Sequence, residues 1–196
     1  DGTAQDKSKT QNTLNPAGSP VIEKDAEMGK NVGVFNGSYD AYLYPFDDTK
    51  YSKMSDGVTI ESIFKYDEIP SGESDMFSNQ QSGGIGLGLE GGRLQFFCNI
   101  EGVGYVQPNA EIEAGQWYHA VGVFDGSTVK LYLNGELVDS KPAGGTTIHW
   151  PGDNAKNFVI GGDSSSSGGA ESFAKGRVSL ARLYSDSMTD DQVKAL

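Results

Sequence analysis

Carboxylates spaced two apart are the first chemistry to look for, because paired acids can cleave a glycosidic bond. Retention needs carboxyl groups about 5 Å apart and inversion a wider gap. On a strand, residues i and i+2 share a face, so such a pair depends on strand geometry. Two stretches come near: Glu23-Lys24-Asp25-Ala26-Glu27 and Glu73-Ser74-Asp75. The first lies in a polar, irregular leading segment, and the second in a loop flanked by Pro70, Ser71 and Gly72. Both are expected to be solvated charges. His119 falls within WYHAVGVF and His149 within TIHWPGD, too isolated to make a zinc pattern. Cys98, in the apolar run LQFFCN, is expected to be a small buried hydrophobe. Gly84-Ile85-Gly86-Leu87-Gly88 lacks the strand-to-helix setting of a dinucleotide loop and reads as a small-residue strand. The chain is therefore expected to be non-catalytic.

The elements around these residues are strands. VTIESIFKY (58–66) alternates, with Val58, Ile60, Ser62 and Phe64 on one face and Thr59, Glu61, Ile63 and Lys65 on the other. WYHAVGVF puts Trp117, His119, Val121 and Val123 together, opposite Tyr118, Ala120, Gly122 and Phe124. Further strands are expected before and after Asn36-Gly37, and at 76–80, 84–90, 93–99, 158–162 and 177–185. Asn134-Gly135 is the favoured pair for a two-residue hairpin loop. One short helix is expected at the C-terminus, where Thr189 and Gln192 form a capping box and Val193 and Leu196 face the domain. The pattern is that of an all-β antiparallel jelly-roll β-sandwich with a short C-terminal helix, a single domain over 1–196. Within it, 1–31 is an irregular leading segment, 32–186 the sandwich and 187–196 the helical end.

Charge and hydropathy bound the partners. The 196 residues carry 15 Lys and Arg against 27 Asp and Glu, a formal charge of −12. No basic cluster offsets this, so nucleic acid is excluded as an expected partner. No apolar run is long enough to insert in a bilayer. The opening DGTAQDKSKT has no basic region followed by an apolar stretch, so any targeting signal is expected to lie outside this sequence or to have been removed.

GQWYHAVGVFDGSTVKLYLNGELVDS (115–140) resembles the signature of laminin-G-like, or concanavalin A-like lectin/glucanase, jelly-roll domains of bacterial surface proteins. NVGVFNGSYDAYLY, VTIESIFK, FVIGGD and RVSLARLYSDSMTDDQVKAL resemble other segments of that pattern in the same order, covering nearly all of 30–196. DKSKTQN (6–12) resembles its first segment. The likeness extends to copies appended to secreted Gram-positive enzymes. It implies an accessory module, extracellular and secreted or surface-attached, that binds carbohydrate or another cell-surface ligand. The alternative is a protein-binding or spacer module that positions a neighbouring catalytic domain of the same polypeptide, such as a phosphoesterase or glycosidase.

A sandwich that binds sugar needs a flat aromatic face with amides or carboxylates beside it. The loop residue Trp150, flanked by His149 and Asp153, is the leading candidate, with Pro151 stiffening the loop. Tyr105 follows, with Asn99 near in sequence, and Asp163 before Ser164–Ser167 is a third. Trp117 is expected to pack and Glu61 to pair with Arg182 across strands. The resemblance also implies a structural calcium ion, with Asp6 and Asp40 at acidic positions of the pattern. Ser179 and Leu180 stand where relatives carry acids, which leaves the ion open.

Overall fold

A computed structural model describes residues 4–8, 11, 13–46, 51, 53–152 and 157–196. Among the described residues, seventeen strands and the short C-terminal helix follow in chain order. The first five are β1 (Asn15–Ala17), β2 (Val21–Lys24), β3 (Asn31–Asn36), β4 (Ala41–Tyr44) and β5 (Val58–Tyr66). Then come β6 (Ser74–Asn79), β7 (Ile85–Glu90), β8 (Arg93–Ile100), β9 (Gly104–Val106) and β10 (Asn109–Ala110). The signature supplies β11 (Tyr118–Phe124), β12 (Thr128–Leu133) and β13 (Glu136–Pro142). Last are β14 (Phe158–Ile160), β15 (Asp163–Ser164), β16 (Ala170–Glu171), β17 (Lys175–Tyr184) and the helix α1 (Asp190–Lys194).

Two antiparallel sheets face each other. The first runs β1-β4-β14-β6-β7-β8-β10 with β9 beside β8, and the second β13-β12-β11-β5-β17-β3-β2. The alternation read from the sequence sets the inner faces. Ile60 and Phe64 of β5 and Ala120 and Phe124 of β11 meet Ile85, Leu87 and Leu89 of β7 and Phe96 of β8 in one buried core. Gly122 keeps a place in that row because the sheets approach closely there. A Cβ on it would lie 2.4 Å from the Phe96 ring.

The leading segment is more ordered than its composition suggests. Asn15–Ala17 pairs with β4 in the first sheet, and Val21–Lys24 pairs with β3 in the second. The chain crosses between sheets at Gly18, whose φ of +67° suits glycine. Both strands are sheet edges, where pairing by one backbone row requires no apolar periodicity and tolerates Pro16. At the other end, Thr189 caps α1 in a complete capping box, and Val193 buries against Val121, Val123 and Tyr132 on the outer face of the second sheet.

Candidate functional site

The signature residues Trp117 and His119 sit on the outer face of the second sheet, where they support structure. Trp117 lies under Lys65, whose Nζ is 5.0 Å from the ring centroid. His119 Nε2 is 3.0 Å from Glu61 Oε1, and the Tyr184 hydroxyl donates to Glu61 Oε2 at 2.5 Å. The expected Glu61–Arg182 pair forms between register partners at 3.5 Å, as a secondary contact of a carboxylate that His119 and Tyr184 hold more closely. Burial pushes the Glu61 carboxyl up, and those hydrogen bonds, helped by the Arg182 charge, outweigh it and leave the group below its ordinary value.

At one end of the sandwich three loops knit together. His149 N–H donates to Asn99 O, Gly84 N–H donates to His149 O, and Glu101 N–H donates to Thr147 O. Trp150 belongs to this end. Its ring stacks on Tyr51 at 4.6 Å and 24°, and it packs against the core. One face of the indole is thus occupied by Tyr51, and the residue is partly buried. A loop tryptophan next to proline reads as exposed only while its partner, far away in the chain, is unknown.

Tyr105 is placed differently. Its hydroxyl donates to Gln80 O and accepts the Gly83 N–H at 3.0 Å, while 38% of the residue stays exposed. Burial raises the hydroxyl's pKa, against opposing hydrogen bonds with Gly83 and Asn99, so it remains a protonated donor. Asn99 is its register partner across β8 and β9. His149 Nδ1 lies 2.6 Å from Glu101 Oε2 on the exposed rim, near the exposed Val103. The structure therefore brings Tyr105, Asn99 and His149 together. Asp153 lies outside the described residues.

Asp163 lies behind the Tyr105 group, joined to it through Gln80, and is 1% exposed, so it is no loop-surface contact for a sugar. Its Oδ1 accepts Ser78 Oγ–H and Gln80 N–H, both at 2.7 Å. Burial pushes its carboxyl up to about 7 despite those bonds. Beside it is Asp75, expected in a solvated loop but found on β6 and fully buried. Burial, then the charge of Asp163, holds the Asp75 carboxyl well above the usual range. Asp75 and Asp163 are thus enclosed, while Glu73 beside them is exposed.

The room for Asp75 comes from the glycine strand. Leu87 and Leu89 point into the core, so Gly86 and Gly88 face outward. A Cβ at Gly88 would stand 1.6 Å from Asp75 Oδ1, and one at Gly86 2.4 Å from Ser78 Oγ. Glycines alternating on one strand face were the available sign that a neighbouring strand lays side chains across it. Glu73, Asp75 and Asp163 are the group of acids gathered among the described residues, their oxygens within 4.8 Å of one another. Asp6 and Asp40 are not part of it. Asp6 accepts Ser8 N–H, and the buried Asp40 accepts Ser19 N–H at 2.8 Å, securing the β1–β2 turn.

Comparison with known proteins agrees with this architecture. Residues 36–194 match the family model described as the concanavalin A-like lectin/glucanases superfamily. No curated protein matches the chain significantly. Among solved structures, the binding domain of Paraclostridial Mosquitocidal Protein 1 aligns with a TM-score of 0.75 at 14% identity, covering 99% of this chain and 50% of that one. Domain 4 of AbnA, a GH43 extracellular arabinanase from Geobacillus stearothermophilus in complex with arabinotriose, aligns at 0.67 and 19% identity, covering 94% and 87%. The binding domain of botulinum neurotoxin DC in complex with rat synaptotagmin II gives 0.75 at 11%, covering 98% and 48%. The chain thus spans about half the length of the toxin domains. At these identities the likeness is one of fold.

Proposed function

We propose, on the premise that the chain belongs to the concanavalin A-like lectin/glucanase superfamily, that it is a non-catalytic module binding carbohydrate at the loop end around Tyr105. One observation carries this reading: the Tyr105 ring is fixed by its hydroxyl to the 80–83 turn while part of it faces solvent. A sugar ring offers a flat apolar face and a rim of hydroxyls, and an aromatic with polar neighbours suits both. An aromatic fixed before the ligand arrives also loses less freedom on binding. Asn99, Glu101 and His149 supply the polar neighbours, and Trp150 braces the loop from behind through Tyr51.

The arabinanase domain, similar in fold and bound to arabinotriose, supports an oligosaccharide as the ligand class. An extracellular setting suits the same reading, as part of a larger secreted or surface-attached polypeptide. Among the described residues no helix is long and apolar enough to cross a membrane.

A glycan array of pentose and hexose oligosaccharides, probed with the chain and with its Tyr105→Ala variant, tests the reading. The expected result is binding by the chain that falls at least about tenfold in the variant, the scale of one lost stacking contact. Silence across the array would turn the reading to a module that docks protein or spaces a catalytic neighbour.

A further inference from the structure

We infer that Glu73, Asp75 and Asp163, with the side-chain oxygen of Gln80, form a binding site for one hard divalent cation, calcium in preference to magnesium. The site adjoins the Tyr105 surface through Gln80, whose backbone oxygen accepts from the Tyr105 hydroxyl, but the inference does not rest on carbohydrate binding.

The geometry is that of a single ion. The carboxylate oxygens lie within 4.8 Å of one another. Two ligands on opposite sides of a calcium ion, each about 2.4 Å from it, are about 4.8 Å apart. Magnesium keeps several of its waters and is seldom held by protein oxygens alone, so an enclosed all-protein set favours calcium. All the donors are oxygens, which suits a hard cation over zinc or copper.

A second observation points to a missing ligand. Asp75 Oδ1 and Gln80 Oε1 are buried, and neither has a hydrogen-bond partner. Gln80 is 7% exposed and is aimed into the cluster, since its Nε2 donates to Asp75 Oδ2 at 3.0 Å. Its amide oxygen lies over Gly86, 3.2 Å from where a Cβ would be. Enclosed oxygens of this kind cost free energy unless something pairs with them. No ion pair among the described residues involves Glu73, Asp75 or Asp163. A divalent cation supplies the charge and the contacts together.

The site also has an entrance and a second layer. Glu73 is exposed, with its Oε1 accepting Ser172 Oγ–H at 2.7 Å, so an ion can enter at that edge. Ser78 Oγ–H and Gln80 N–H orient Asp163 through Oδ1. Backbone ties fix the covering loop, with Asp75 N–H donating to Ser172 O and Asp163 pairing with Glu171. The ion would thus clamp the 161–173 loop to β6.

The test is calorimetric and thermal titration of the EDTA-treated, desalted chain with calcium chloride and, separately, magnesium chloride. One calcium per chain is expected, with tighter binding than magnesium. Unfolding should rise by about 5–10 °C at a calcium concentration one hundred times Kd. Asp75→Asn should abolish the response while leaving the ion-free protein about as stable, because the amide replaces a buried carboxyl that burial already drives toward its neutral form, at nearly constant shape. Glu73→Gln, at the exposed edge, should fold normally and weaken calcium binding by about tenfold or more. No calcium response in the unsubstituted chain would overturn the inference. So would a response undiminished in Glu73→Gln and Asp75→Asn, which would put the ion elsewhere on the molecule.

Discussion

Removing the Tyr184 hydroxyl should cost more stability than removing the Arg182 charge, although Arg182 is the partner that sequence pairing suggests. Glu61 is 2% exposed and lies on β5, between β11 and β17. Tyr184 reaches its Oε2 at 2.5 Å from the adjoining strand. A hydrogen bond to a charged, buried group contributes about 1.5–3 kcal/mol, so Tyr184→Phe should cost that much. Arg182 stands 3.5 Å away with its side chain 54% exposed, where solvent screens the pair to about 0.2–1 kcal/mol. Urea unfolding of Glu61→Gln, Tyr184→Phe, Arg182→Ala and the two double variants yields both coupling energies. The Glu61–Tyr184 coupling should be the larger by at least about 0.5 kcal/mol. The sign with pH follows from the direction at Glu61. Its folded pKa lies below its ordinary 4.5, so the stabilisation is fully present above 4.5 and is lost as pH falls through the folded value. The cost of Tyr184→Phe should therefore shrink in acid. An Arg182 coupling that equals or exceeds that of Tyr184 would refute the reasoning.

Three further outcomes follow from the packing. Gly122→Ala places a methyl group 2.4 Å from the Phe96 ring and should destabilise by about 1–3 kcal/mol, read as a fall in Tm. Thr189→Ala removes one half of the capping box and should cost about 1 kcal/mol in denaturant unfolding, because α1 carries the buried Val193. Cys98 is fully buried, and burial pushes its thiol pKa up, so a thiol reagent at neutral pH should label it only at the rate of unfolding.

What the sequence disclosed was whatever depends on strand periodicity. The alternation of β11 put Ala120 and Phe124 inside and Trp117 and His119 outside, and the structure has them so. The Asn134-Gly135 turn, with both residues at positive φ, was equally local. What stayed hidden depends on partners distant in the chain. Trp150 reads as an exposed loop aromatic until Tyr51 is found against its face. Asp75 follows a Pro, Gly and Ser run that reads as loop, and only pairing with Gly88 of β7 turns it into a buried strand residue. The leading segment was read as irregular because an edge strand needs backbone pairing rather than an apolar face.

Recognition at the loop end is tested most directly by an amide chemical-shift map of the chain with the oligosaccharide that the array returns. Shifts should cluster at Asn99, Glu101, Val103, Tyr105 and residues 145–150, with little change on the outer face of the second sheet. Shifts centred instead on Trp117 and Lys65, or on the exposed Tyr39 beside Phe173, would contradict a binding surface built on Tyr105.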